Sequence, residues 1–466
     1  MAKRIFLLAG IGYGDETKGS ITDWLTTLYP VGDIYRYNGG SQAAHHVVLK
    51  NGEFHCFSQF GSGLLSKPIR THLSRFMAVN PMSLLRECEV IKTKINSAFP
   101  EIYLDKQSLV ITPYHKLINQ MREISRGHER YGSCGKGVGE TIKDSQKYGR
   151  EVLRIGDLYD LPTLKYKLKF LQALKIDEAE QLLAVNSDNP ELLSRLQKLQ
   201  SSEYFNYLVN WYGDFSKNQN IKLEDSSILN GDDEIYEGAQ GALLHRDFGF
   251  YPHVTQSDTS FHNAEELIKD RVDAEIFRIG ILRAYSTRHG AGPFVTYDEK
   301  LSALIPDEHN STNDFQGDFK SGWLDFVATR YALKIVGFIN GIALSHLDRL
   351  RELAEVKTCD AYQYCGSESL DILKQFFECH SIGDHFRPII TDIKLIPSDK
   401  YTDWSWRQKV TNILQDCRPI YQTLRFGKAV FINRYVEHLE THLKTKIILI
   451  STGPTAGDKK ILRPLT

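Results

Sequence analysis

The stretch Arg4–Ala9 (RIFLLA) is an unbroken apolar run that stops at a glycine. With no polar alternation, such a run reads as a strand buried on both faces, the signature of a parallel sheet covered on either side. It is followed by a glycine-rich segment, Gly10–Ser20 (GIGYGDETKGS), and then by Ile21–Leu28, whose pattern is helical. Strand, glycine loop and helix in that order gather backbone N–H groups and a helix N-terminus at one place, which is where a phosphate is held. The Walker pattern G-x-x-x-x-G-K-[ST] is not met, because the sixth position from Gly12 is Thr17, followed by Lys18 and Gly19.

Further strand-like runs fall at His46–Lys50, Val110–Thr112, Ile235–Tyr236, Ile279–Tyr285, Gly341–Ser345 and Lys446–Ser451, with longer helical stretches between them. Strands alternating with helices predict an α/β fold: a large, mostly parallel central sheet with helices on both faces. Leu161–Gln200 is rich in Leu, Lys, Glu and Gln at helical spacing. It reads as a helical insertion at about 160–230, a lid or an oligomer contact, within one large domain spanning 1–466. Lys plus Arg number 57 against 58 for Asp plus Glu, a net charge of -1. That balance supplies no field for nucleic acid or a membrane surface, so an anionic ligand needs a local site. The seven cysteines include no C-x-x-C pair, which argues against zinc or a redox couple and for a reducing compartment. With no apolar run of about 18 residues, the chain reads as soluble and cytoplasmic.

The candidate chemistry lies in the loops. In GYGDETKGS, Lys18 can neutralise phosphate, and Asp15 can hold Mg2+ or take a proton. In RYNGGSQAAHHVV (36–48), His45 and His46 precede a strand-like run and suit acid catalysis or a donor to phosphate. In EGAQGALLHRDFGFYPHVTQSDTS (237–260), Gln240 has an amide that both donates and accepts, which fits a base edge, and Thr255, Ser257 and Thr259 can donate to phosphate. AYSTRHGAGPF (284–294) holds Arg288 among small residues, LSHLDRL (344–350) ends a strand at Asp348, and STGPT (451–455) turns tightly after another. An Asp there can accept from guanine N1–H and N2–H. Taken singly, each has a plain alternative: a solvated charged turn, hydrogen-bonded histidines, a helix cap.

The series is more specific than its parts. GDExKG, GGxxAxH, PYH (113–115), GKGVG (135–139), EGAQG, YPxVT, AYxTRxGxGPF, GWLD (322–325), LD (347–348) and SxGP occur in one order. This closely resembles the adenylosuccinate synthetase family over nearly the whole chain, the helical insertion excepted. The resemblance implies a P-loop NTPase-like fold and a Mg2+-dependent ligase that joins L-aspartate to C6 of IMP while cleaving GTP. It implies catalytic roles for Asp15, His45, Lys18 and Gln240. Nucleotide contacts would come from Gly14, Glu16, Gly19, Gln42, Lys136, Arg150, Thr255, Arg288, Asp348, Ser451 and Gly453. The metal would sit at Asp15 and the backbone of Ala44, and Arg150 would reach the neighbouring active site of a homodimer.

Several positions depart from the family pattern. GDEGKGK becomes GDETKGS, placing Thr17 and Ser20; N-A-G-H-T becomes Gln42–His46, placing Ala44; GRGIGP becomes GKGVGE, placing Lys136, which lacks the bidentate fork of arginine; and T-K-L-D carries His346. The family's T-T-G-R-x-R-R loop is replaced by Asn313–Ser321 (NDFQGDFKS), leaving Lys320 and Arg288 as the cations expected to meet the amine's carboxylates. Phage-type relatives act on dGMP and carry a small residue in place of Asp15, so Asp15 favours IMP. Open alternatives are dGMP, ATP in place of GTP, another amine, or a non-catalytic nucleotide-binding regulator; a GTPase switch ranks last, for want of N-K-x-D.

Overall fold

The computed structural model describes residues 3–95, 100–127, 132–185, 188–224, 232–307, 317–381 and 387–465. Its centre is a ten-stranded sheet in the spatial order Lys459–Ile461, Ile447–Ser451, Gly341–Ser345, Ala274–Arg283, Lys3–Gly10, Asp233–Gly241, Val31–Arg36, Arg70–Leu73, Ile102–Asp105, Ile221–Glu224. Neighbours pair in parallel, except the edge strand Lys459–Ile461. Lys3–Gly10 lies in the middle, with Leu7 opposite both Tyr236 and Arg278.

That central place explains the apolar run. Ile5, Leu7 and Ala9 share a buried cluster with the helices Phe326–Val336 and Phe431–Leu443. Phe6 and Leu8 join Ile21, Trp24 and Leu25 of the helix Lys18–Leu28 on the opposite face. Ile5, Phe6, Leu7 and Leu8 are fully buried, each worth about 1.5–3 kcal/mol for a side chain of that size. A polar substitution on either parity would therefore strand a side chain in a covered face.

Five strands of this sheet escaped the sequence reading: Val31–Arg36, Arg70–Leu73, Ile102–Asp105 and the two edge strands Ile221–Glu224 and Lys459–Ile461. They are short, and each carries a buried ionisable side chain. Asp33 pairs with Arg70 at 2.6 Å, and His72 bridges Asp33 and Glu224 at 2.8 and 2.6 Å. Mutual pairing removes the cost that makes such residues look loop-like. A second, largely antiparallel sheet (Leu324–Asp325, Val356–Tyr364, Phe377–His380, Ile389–Ile393, Cys417–Leu424) was likewise unforeseen.

Three expectations need correction. The run at His46–Lys50 is a strand, His45–Val48, but it pairs with Phe54–Phe57 in a separate hairpin. At 110–112 the strand is Leu109–Val110, and Thr112 caps the helix Pro113–Arg126. The region 160–230 is helical over Leu161–Val185, Pro190–Gln200 and Ser202–Phe215, yet it returns to the main sheet as the edge strand Ile221–Glu224; residues 225–231 lie outside the described residues. Its helices pack on Pro113–Arg126 through Leu164, Leu168 and Leu171. Among the described residues no helix is long and apolar enough to cross a membrane.

Candidate active site

The strand Lys3–Gly10 ends where the glycine loop begins, at the carboxyl edge of the sheet. Glu16 folds back so that its Oε1 accepts from Gly14 N at 2.7 Å, while its Oε2 lies 3.1 Å from Lys18 Nζ. The Lys18 ammonium also donates to Gly14 O at 2.8 Å. Both side chains are buried. Glu16, expected at the nucleotide, is thus the brace that shapes the loop and aims Lys18. Thr17 precedes the helix Lys18–Leu28 at φ +69° and caps it with no side-chain hydrogen bond. A Cβ in this left-handed region costs about 1–2 kcal/mol. The helix's first N–H groups stay available to an anion. Gly19 is required by packing: a Cβ there would stand 2.7 Å from His45 Cβ and 3.0 Å from its carbonyl carbon. Its absence lets His45 lie against the helix's first turn.

Two clefts open on this loop. One, enclosing about 1130 Å³ with its solvent, runs from Gly14–Ser20 past His46 and Arg283 to His346, Asp348, Ser451 and Gly453. The other, about 1600 Å³, is lined by Gln42, Gln240, Thr255, Arg288 and His289 together with Ser133, Gly139 and Glu140. Gly14, Asp15, Ala44 and His45 border both. Two sequence-distant motifs thereby form one partition.

His45 is buried, and its Nδ1 lies 2.7 Å from Glu237 Oε1, whereas its Nε2 is buried with no hydrogen-bond partner. Desolvation pushes the imidazole down to about 4, against the pull of Glu237. With Nδ1 turned to Glu237, Nε2 is the ring nitrogen left open. Glu237 is itself fully buried; burial opposes its charge, but His45, Arg36 and Ser62 hold it down to about 2. Asp15 is shifted the other way: burial raises its carboxyl, partly offset by Arg283, His289 and Lys18. A carboxylate made more basic beside an imidazole with an open nitrogen is the arrangement of an acid–base pair.

In the larger cleft both amide atoms of Gln42 and the Oε1 of Gln240 are buried without partners. Gln240 stands at φ +65°. Unsatisfied carboxamides facing one cavity call for a ligand with a mixed donor and acceptor edge. Thr255 lines the same cavity, and Ser257 and Thr259 have buried hydroxyls without partners but do not reach its wall. Arg288 is also there, with its charge over the Tyr13 ring at 4.4 Å. Its guanidinium, however, donates to Ala291 O at 3.0 and 2.7 Å and to Pro293 O at 3.0 Å, folding its own loop. Lys320 lies opposite Arg288 in a two-stranded ribbon, but its ammonium rests over Tyr297 at 5.9 Å and it lines neither cleft. The remaining amine-loop positions Asn313–Gln316 lie outside the described residues. Lys136 is exposed and donates to Ser41 O at 3.2 Å; Arg150 is exposed and borders neither cleft.

At the far end of the smaller cleft, Asp348 lies in the first turn of the short helix Leu347–Arg351, and burial raises its carboxyl. Ser451 donates to Gly453 O at 2.9 Å, closing the turn beside it. A Cβ on Gly453 would meet Asp458 Cγ at 2.6 Å. Four site residues were missed in the sequence: Glu237, Arg283, His289 and Asp307. Glu237 opens the EGAQG motif and His289 sits inside TRxGxGPF, so both were in view. Arg283 falls inside the strand-like run Ile279–Tyr285, and Asp307 belongs to none of the motifs. No cluster of three or more metal-binding side chains occurs among the described residues.

The comparisons with known proteins agree with this geometry. The family model described as adenylosuccinate synthetase matches residues 7–459. Among solved structures, the fully ligated adenylosuccinate synthetase of Plasmodium falciparum superposes with a TM-score of 0.72 at 20% identity, covering 99% of this chain and 100% of that one. The succinoaminodeoxyadenylate synthetase of cyanophage S-2L, bound to dGMP and to dATP as an energy donor, gives 0.55 at 14% identity, with 100% and 97% covered. At these identities the superpositions speak for the fold, and the family rests on the model match across the chain. The protein therefore belongs to the adenylosuccinate synthetase family and is a ligase of that family.

Proposed function

We propose that the chain joins L-aspartate to C6 of IMP at the expense of GTP, through a 6-phosphoryl intermediate. The observation that carries this reading is the shared wall: a basic carboxylate and an imidazole with an open nitrogen stand between a cleft beginning at an anion-binding helix and a cleft lined by unpartnered amides.

The chemistry follows from those positions. The purine sits with its six-membered edge toward Gln240 and Gln42. Asp15 takes the N1 proton, so electron density moves to the 6-oxygen. That oxygen attacks the γ-phosphorus, an O–P bond forms, and the bridging bond to the β-phosphate breaks, releasing GDP. Lys18 and the helix N-terminus bear the charge of the transferring group, which is where most of the acceleration in phosphoryl transfer arises. His45 presents Nε2 at the junction; the incoming phosphates favour its protonation, and Glu237 balances the imidazolium. The amine then adds at C6 and inorganic phosphate leaves with the former 6-oxygen. Asp348 receives the guanine.

The donor set suits Mg2+. Glu16 is spent on the loop, so Asp15 and the backbone oxygen of Ala44 are the groups on the shared wall, a sparse set of the sort Mg2+ uses when phosphates supply the remaining ligands. When bound, the ion neutralises phosphate charge. The retained Asp15 favours IMP over dGMP. Arg150, exposed on the surface, is assigned to the neighbouring nucleotide in a homodimer, and a reducing cytoplasm suits seven free thiols.

The test is isotopic. IMP labelled with 18O at the 6-position, incubated with GTP, Mg2+ and L-aspartate, should deliver the label to inorganic phosphate as adenylosuccinate forms. Release of unlabelled phosphate, or binding of IMP and GTP without turnover, would refute the reading and favour a nucleotide-binding regulator. Substituting dGMP and ATP in the same mixture separates the remaining alternatives.

A further inference from the structure

The proposed reaction needs a place for the amine's carboxylate, and this inference rests on that reading. A carboxylate entering a closed site is costly unless it meets directed donors. Arg288 and Lys320 are engaged elsewhere, as described above. Two other side chains beside Asp15 keep a buried nitrogen without a partner: Arg283 at Nη1 and His289 at Nε2. Arg283 is 4% exposed. Its Nη2 is held 2.8 Å from Asp307 Oδ2 and 2.6 Å from His346 Nε2. Two partners therefore fix the guanidinium plane while Nη1 stays open.

Both residues also touch one ring. The Arg283 guanidinium lies 5.8 Å from the Phe319 centroid, and the His289 ring meets Phe319 edge-on at 5.4 Å. Phe319 is the register partner of His289 in the ribbon. Arg283 borders the triphosphate cleft, His289 the purine cleft, and Asp15 both. An amine reaching C6 must arrive at that partition. The charge balance points the same way: Arg283 is already matched by Asp307, so the pair offers donors to a monoanion rather than excess charge to a polyphosphate, which Lys18 and the helix N-terminus serve.

We propose that Arg283 and His289, packed against Phe319, bind one carboxylate of the amine substrate. His289 donates from Nε2 and Arg283 from Nη1, a charge-assisted pair.

Calorimetry tests this without requiring turnover. The full-length protein, loaded with IMP, GDP and Mg2+, is titrated with L-aspartate. Arg283→Gln and His289→Phe, the latter keeping the ring contact with Phe319, should each weaken L-aspartate binding about 10-fold or more, the loss expected for a hydrogen bond to a charged group. Affinities for IMP and GDP should stay within a few-fold, and Arg283→Lys should recover part of the loss. Should Arg283→Gln disturb folding, as urea unfolding would show, His289→Phe carries the decision. Unchanged L-aspartate affinity in His289→Phe, a loss of GDP affinity in place of L-aspartate affinity, or no L-aspartate binding by the wild type would overturn the assignment. Intact, clamp-dependent binding with no isotope transfer would instead refute the proposed reaction alone.

Discussion

Replacing Glu237 by Gln tests the acid–base reading where the structure is most demanding. Glu237 accepts from His45 Nδ1 at 2.7 Å and from Ser62 N at 3.2 Å, and it lies 3.9 Å from Arg36 Nε. All of this is buried. Glutamine keeps the shape and an acceptor but removes the charge that supports an imidazolium. Loss of a hydrogen bond to a charged partner is worth about 1.5–3 kcal/mol, or roughly 10- to 150-fold in kcat. The sign of the pH effect is fixed: burial already holds His45 down to about 4, and Glu237 acts against that. Without it, the limb that reports protonated His45 moves to lower pH. Steady-state formation of adenylosuccinate, followed by absorbance down to about pH 3.5, below the His45 value of about 4, reads both effects. Stability changes as well. Arg36 has Nε and Nη2 without hydrogen-bond partners, and losing its counter-charge should cost about 3–5 kcal/mol in urea unfolding. Glu237 is depressed from 4.5 to about 2, so its stabilisation is present above 4.5 and lost as pH falls through 2. The difference between wild type and variant should shrink across that window. Unaltered kcat and pH profile, in a variant that is folded and binds both nucleotides, would refute the role given to the His45–Glu237 pair.

Asp15→Asn should lower kcat by on the order of 100-fold or more, as for other general bases, and in the wild type the acid limb should lie above the ordinary carboxylate range because burial raises this group. Gln240→Ala should raise KM for IMP about 10-fold with KM for GTP unchanged, as steady-state kinetics would show. Lys175, fully buried between Asp144 at 2.7 Å and Glu178 at 3.0 Å, ties the long helix Leu161–Val185 to the helix Val138–Tyr148 at the purine cleft. Lys175→Met should therefore cost about 3–5 kcal/mol in urea unfolding and weaken IMP binding. Mixing inactive Arg150→Ala with inactive His45→Ala should regain turnover if two protomers share a site; no recovery in mixtures shown to exchange subunits would remove Arg150 from that role.

The order of the loops was enough to assign the family, because GDExKG, EGAQG and TRxGxGPF record chemistry that needs those residue types at the carboxyl ends of strands. Asp15, His45, Lys18, Gln42, Gln240, Thr255 and Asp348 were singled out from those loops, and the structure sets all of them on the two clefts, all but Lys18 and Asp348 on the larger. The polar strands Val31–Arg36 and Arg70–Leu73 were not legible, since only their pairing across the sheet makes Asp33, Arg70 and His72 tolerable in a core. What the loops could not show is how Arg288 is engaged: singled out as a cation for the amine, its guanidinium closes on the carbonyls of its own loop.

Burial on both faces of the strand Lys3–Gly10, the glycine loop after it and the order of the loops that carry Asp15 and His45 are local properties of the chain, written in hydrophobic run length and in spacing. Which charges brace the scaffold and which stay open to a ligand is a matter of the partners that the fold sets around each group, whether two positions away, as for Glu16, or 24 and 63 away, as for Arg283. Glu16 and Arg283 are both buried and ionisable, but Glu16 has its oxygens taken by Gly14 and Lys18, while Arg283 keeps one nitrogen unspent. Hydrogen-bond satisfaction is settled by three-dimensional neighbours, and no periodicity encodes it.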